Sequence, residues 1–262
     1  DSPGRRYAFR HEQLQDFLCA YSLLPEKNNL ALIFSEFGQN LSKGVISWLH
    51  KLYHNEFPDL EARFIDDVLS ANVNLPFYSR IPVLENLKEQ SDPTKVAAEV
   101  IAKYSTDWAY HRFFFDGLDN PAWITPLFET DFFFKPPDPI EVKPGSFQLP
   151  GWPAGEYLAR FANRHEDIVT AVVRSIQTEN WRVQEILVDA MLKISPAKTA
   201  ELISAVDDWL NGRFSDTLSD MLPIKLISLA DYLFENRMVD AAIQILEYVI
   251  TPVLPQTQSE YS

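Results

Sequence analysis

Apolar positions along this chain recur mostly at intervals of three and four, the period of one helix face, and prolines cut them into segments. Leu14, Phe17, Leu18 and Tyr21 form the first stripe, preceded by a short strand-like piece at Tyr7 and Phe9. Between 29 and 54 the stripe predicts one helix to about Gln39, a break near Ser42-Lys43-Gly44, and a second helix carrying Val45, Trp48, Leu49 and Leu52. Leu60, Phe64, Ile65, Val68 and Leu69 mark the next. Asp92-Pro93 is a start signal, with the carboxylate as cap and the proline at the first helical position, ahead of Val96, Val100, Ile101 and Tyr104.

Residues 119–153 break the rhythm. Asn120-Pro121 begins a short helix with Trp123, Leu127 and Phe128. Six prolines between Phe132 and Pro153 then preclude another, and Glu141 to Leu149 suits a small hairpin around Pro144-Gly145. The aromatic content of this segment predicts docking on a helical surface, each buried ring contributing about 1.5–3 kcal/mol. From 155 onward the helical stripes return: Tyr157 to Ala162, Ile168 to Ile176, Val183 to Ile194, Leu202 to Leu210 after Ser195-Pro196, Leu226 to Phe234, and Val239 to Ile250. Their spacing suits roughly three helix pairs of about forty residues each, the range of HEAT-type and armadillo-type units. Leu229 to Ala242 also looks like a tetratricopeptide turn.

The expected fold is therefore all-α: an α-solenoid-like helical array (HEAT/armadillo/TPR-like) preceded by a small helical domain. The expected divisions are 1–28, 29–118 (the small domain), 119–153 (a proline and aromatic connector), 154–252 (the array) and 253–262 (a tail).

Composition narrows the function classes. Apolar residues make up 46% and charged residues 23% of the 262, ordinary for a globular chain. A net charge of −14 disfavours nucleic acid, whose binding rests on neutralising phosphates, and disfavours anionic membranes. Eight glycines are few for an architecture that brings backbone close to phosphate. The lone Cys19 cannot form an internal disulfide and is expected on the buried side of the first helix, as a small hydrophobe in a reducing cytoplasm. The longest apolar candidate, Ala241 to Leu254, is interrupted by Gln244, Glu247 and Pro252, so no membrane span is expected.

The order Phe9, His11, Gln15-Asp16-Phe17-Leu18 and Ala20 resembles the segment that closes the winged-helix part of NACHT and related STAND-type P-loop ATPases, with Asp16 where glutamate is commoner. The likeness covers about eighteen residues. The block 122–162 also resembles a connector into helical repeats in some large bacterial NACHT-like proteins. The resemblance implies that 1–28 ends an ATPase module lying upstream. The start Asp1-Ser2-Pro3-Gly4, without an initiator Met or a signal peptide, fits a piece of a larger protein. It also implies a role for His11, whose imidazole in such ATPases reaches the phosphates of bound nucleotide. In this chain the alternative is a helix-start histidine bonded to nearby backbone. No Gly-x4-Gly-Lys-(Ser/Thr) loop occurs, so no cofactor is expected here.

Other candidates are weaker. His11-Glu12-Gln13-Leu14-Gln15 misses a zinc-protease helix because Gln15 stands where a second imidazole is needed. His50 and His54, four apart with Glu56 nearby, could form a surface metal site, but an exposed helix edge is favoured. Asp66-Asp67 and Asp207-Asp208 are expected on solvated faces, and Phe113 to Phe115 and Phe132 to Phe134 in core rather than in a recognition pocket. No Gly-x-Ser-x-Gly elbow occurs. The expected function is a non-catalytic regulatory or sensor region of a bacterial STAND-like signalling ATPase, in defence by family analogy. It would act through a protein partner or self-association, without nucleic acid or membrane. The alternatives are a helical-repeat scaffold or adaptor with no ATPase link, and a helical enzyme with its site in the array.

Overall fold

The computed structural model describes residues 3–24, 33–34, 41–70, 75–104, 107–210 and 221–250, with the side chains of 3–11, 207, 208 and 210 excepted. The chain is all-α. The described residues hold fourteen α-helices, and their only sheet is one two-stranded hairpin. Two compact units divide at Thr130/Asp131, inside the proline and aromatic segment.

The first unit contains α1 (Pro3–Leu23), α2 (Lys43–Glu56), α3 (Pro58–Leu69), α4 (Phe77–Lys88), α5 (Lys95–Tyr104), α6 (Trp108–Phe115) and α7 (Ile124–Glu129). Tyr7 and Phe9 lie inside α1, so the expected strand-like start is a helix; Pro3 stands at its first position, where the missing N–H costs nothing. Helix α2 packs on α1, α3 and α4, placing Ile46, Leu49 and Tyr53 in the core against Phe64, Val68, Leu84 and Leu87. Burial pushes the Tyr53 hydroxyl up to about 12. The start of α5 differs from expectation. The Thr94 hydroxyl, not Asp92, accepts from the Ala97 N–H at 3.1 Å, so the cap falls one residue after Pro93. Helix α4, with Pro82 inside it and Ser79 and Arg80 among its buried residues, and the eight-residue α6 were not expected from the pattern, since neither shows a clean apolar stripe. Phe114 and Phe115 are core, and Trp123 closes the unit by donating from Nε1 to the Leu87 carbonyl at 3.1 Å. The helix expected up to Gln39 lies mostly outside the described residues.

The second unit begins with a 3-10 turn at Phe132–Phe134, whose Phe133 is buried, and the hairpin β1 (Ile140–Lys143) and β2 (Ser146–Gln148). The hairpin forms where the Pro144-Gly145 pair places it, with Glu141 opposite Phe147 and Gly145 at φ 75°. Seven helices follow: α8 (Pro153–Arg160), α9 (Glu166–Ser175), α10 (Trp181–Met191), α11 (Pro196–Glu201), α12 (Ile203–Leu210), α13 (Met221–Glu235) and α14 (Val239–Ile250). Helices stack on one another, α8 on α10, α10 on α13, and α12 on α14, while α13 and α14 pack together across a turn with Arg237 at φ 65°. Val172, Val183, Leu187, Met191, Val206, Leu229 and Leu233 fill the spaces between them. Ser195-Pro196 does restart the chain as a helix. That helix ends at Leu202, however, so the stripe expected to run on to Leu210 is split over α11 and α12.

Candidate functional site

The two histidines singled out for their spacing do come together with a carboxylate, and that carboxylate is Glu61. His50 Nε2 lies 3.2 Å and His54 Nδ1 3.0 Å from Glu61 Oε1, and Gln90 Nε2 donates to the same oxygen at 2.8 Å. Glu56, expected nearby on sequence distance, is exposed at the end of α2 and not among these contacts. The Phe57–Pro58 turn starts α3 in a direction that returns Glu61 to the histidines. His50 is also not on an exposed edge: it is 1% exposed and stacks on Phe64, ring centroids 5.8 Å apart.

Electrostatics make this a clamp. Burial holds the His50 imidazole below its ordinary range, against the pull of Glu61. Neutral His50 donating from Nε2 leaves Nδ1 as a bare lone pair, and Nδ1 is buried without a hydrogen-bond partner. A proton there would have no acceptor. Burial pushes Glu61 upward, but the hydrogen bonds from His50 and His54 outweigh it and leave the carboxyl below its usual range. Among the described residues, no group of three or more His, Cys, Asp or Glu side chains could hold a metal ion.

The family-like segment is legible in part. His11 lies in α1, and its side chain is outside those described. Asp16 and Phe17 do have partners. Asp16 Oδ1 accepts from the Ser42 hydroxyl at 2.7 Å, and that hydroxyl accepts from the Val45 N–H at 3.1 Å, capping α2. Phe17 packs edge-on against Trp48 at 5.3 Å. Because α2 meets α1 along Asp16, Phe17 and Ala20, the rest of the expected stripe is turned outward: Leu14, Leu18 and Tyr21 are exposed. Cys19 is exposed with them, contrary to its expected burial.

In the second unit a polar network missed by pattern reasoning fixes the proline segment. Fully buried Asn180 donates from Nδ2 to the carbonyls of Pro137 and Pro150, each at 2.9 Å, and accepts from the Arg182 N–H as the cap of α10. Gln184 Nε2 donates to the Thr178 carbonyl at 2.7 Å, and Trp209 Nε1 to Ile176 at 2.9 Å. The available signal was Asn180 ahead of a regular apolar stripe, which marks a cap but not its second duty. Asp207 and Asp208 lie in α12 with side chains outside those described, and Asp66 is tied to Lys103 and Tyr104.

The last helix pair departs most from the expected core. Ile227, Phe234, Val239, Leu246 and Ile250 were expected inside, yet Phe234 is 63% and Ile250 73% exposed. On α14 the exposed residues Val239, Ile243, Leu246 and Ile250 run at 4-3-4 spacing beside the buried Ala242 and Ile245. On α13, Ile224, Ile227 and Phe234 form a second uncovered stripe, interrupted by Asp231. Packed stripes face their neighbours, so each of these helices carries a second, exposed apolar stripe besides its buried one.

These features define an all-α protein of stacked helices with two internal polar clamps and an uncovered apolar face on its last pair. No protein-family model, curated protein or solved structure matches the chain. No helix among the described residues is long and apolar enough to cross a membrane.

Proposed function

We propose that this chain is a non-catalytic helical region that works by binding another protein. The uncovered stripes of α13 and α14 carry this reading. Water contact with exposed apolar surface is unfavourable by about 25 cal/mol per Å², and in a repeat array each helix pair normally buries such a face against a neighbouring pair. The pairwise stacking of α8, α10 and α13, with α12 on α14, supports an array of the solenoid kind. The polar clusters supply no competing chemistry: the His50 and Glu61 groups are buried and spent on one another.

For its setting we take the regulatory side of a STAND-type ATPase, supported by Phe9, His11 and Gln15 to Leu18 in their order. In such a setting the trigger must bind the open state more tightly than the closed one. The coding sequence upstream of Asp1 tests it: a phosphate-binding loop followed by a strand ending in acidic residues is expected, and a reading frame that opens at α1 overturns it. One observation favours a scaffold with no ATPase link instead. Asp16 and Phe17 are accounted for by packing on Ser42 and Trp48 within this chain.

A further inference from the structure

We propose that the uncovered face of α13 and α14 docks a basic amphipathic helix of another protein. The inference rests on the protein-binding function above and names the chemistry of the occupant. Its apolar half is set by the stripes: Val239, Ile243, Leu246 and Ile250 repeat at the interval by which one helix seats side chains against another.

The polar half is set by charge. Asp240 and Glu247 lie one turn from Ile243, and Asp231 lies one turn from both Ile227 and Phe234; Glu235 follows on the same helix. All four are exposed, and among the described residues none is ion-paired. Helix α14 has no basic residue. Lys225, the sole base of α13, is committed to Asp189 at 2.5 Å and to the Glu185 carbonyl. Among the described residues of this helix pair and its turn, Arg237 is the one remaining base. An apolar stripe flanked by carboxylates selects leucine-type side chains flanked by lysine or arginine. A second copy would bring the same carboxylates and a net charge of −14 against its like. Anionic lipid is disfavoured on the same ground.

The test titrates the chain into a labelled peptide of about three heptads, leucine at the 4-3 positions and lysine elsewhere, and reads fluorescence anisotropy. One companion peptide replaces every lysine with glutamate; another keeps the basic composition and scrambles the leucine spacing. The first peptide is expected to bind, less tightly as salt rises, and about tenfold more weakly to the Ile243→Asp, Leu246→Asp chain. Both positions are exposed, so circular dichroism should show that variant folded. The added carboxylates would strengthen a purely electrostatic association, so weakening isolates the apolar term. Equal binding of the glutamate peptide overturns the charge rule and leaves the protein-binding function standing. Equal binding of the scrambled peptide, or no effect of the double substitution, overturns the docking site. A dimer in sedimentation that the same substitutions disperse makes the occupant a second copy, and uptake on phosphatidylcholine vesicles makes it lipid; either overturns the proposal. No peptide binding, dimer or vesicle uptake removes the functional reading as well.

Discussion

Asn180 donates its side-chain amide to the carbonyl of Pro150 at 2.9 Å, tying a helix cap to a loop thirty residues earlier. The same nitrogen reaches Pro137 at 2.9 Å, and the amide oxygen accepts from the Arg182 N–H at 3.1 Å. Prolines give this segment a low-entropy unfolded state but no N–H groups of their own, so its carbonyls need donors from elsewhere. One buried side chain supplies two of them and starts α10.

Asn180→Ala should therefore destabilise the second unit by about 2–4 kcal/mol, the sum of a lost cap and unsatisfied buried carbonyls. Asn180→Asp keeps the cap oxygen but turns an acceptor toward two carbonyls. It should cost at least as much at pH 7 and recover partly in acid, as the carboxyl protonates. Urea unfolding at both pH values checks this; an aspartate variant more stable than the alanine one at pH 7 would show that the donors contribute nothing.

Gly155, in the first turn of α8, faces the indole of Trp152, and a Cβ added there would overlap the ring. Trp152 is 1% exposed and has no space to yield. Gly155→Ala should cost about 1–3 kcal/mol by overpacking, although alanine is the better helix former. The cost should fall sharply when measured in a Trp152→Leu background, where the ring is gone. Equal costs in both backgrounds would place the penalty elsewhere.

Periodicity made the helices legible because burial on one face repeats at 3.6 residues, and Pro144-Gly145 made the hairpin legible because only a turn suits that pair. What periodicity does not carry is which apolar face finds a partner. Leu18 and Phe17 are adjacent and alike in sequence, yet Trp48 covers Phe17 and leaves Leu18 exposed. Ile250 continues a stripe whose Ala242 is buried and is itself open to water. The His50 and His54 pair was visible, but its third member required knowing that the Phe57–Pro58 turn brings Glu61 back. Asn180 shows the same limit for polar groups. A cap is a local feature, while its bonds to Pro137 and Pro150 depend on the tertiary fold.

Acid should loosen the first unit in two stages. His50 has a folded-state pKa below 6.5, so below that pH the unfolded chain binds the extra proton first. Stability is then complete above about pH 6.5 and declines as pH falls through the folded value. Glu61 is also lowered, so its contribution is complete above its ordinary 4.5 and is lost as pH drops through its folded value. Glu61→Gln keeps an acceptor for the imidazoles but removes the charge. It should lower stability near pH 7 by about 1–3 kcal/mol, abolish the second stage and deepen the first, since the carboxylate no longer supports a protonated His50. Urea midpoints from about pH 7.5 down to about 3 measure both stages. An unchanged slope below 4.5 in the variant would remove Glu61 from the account.

Asp16 and Gly44 offer the most direct test of how helix α1 is held. A Cβ at Gly44 would overlap the Asp16 carboxylate and no other group comes as near, so the glycine keeps open the space in which Asp16 meets Ser42. Unlike the indole above Gly155, a carboxylate on a part-exposed side chain can swing away, at the cost of its bond to the Ser42 hydroxyl and its position near the positive end of α2. Gly44→Ala should then cost little overall, about 0–1 kcal/mol, because the gain of roughly 0.5–1 kcal/mol from alanine in a helix offsets the lost bond. With Asp16→Ala already in place the conflict is absent, and the same Gly44→Ala change should turn stabilising by about 0.5–1 kcal/mol. A double-mutant cycle on thermal or urea unfolding reads the reversal of sign. If Gly44→Ala has the same effect with and without Asp16, the carboxylate does not seat α1 on α2, and apolar packing such as Phe17 against Trp48 does so instead.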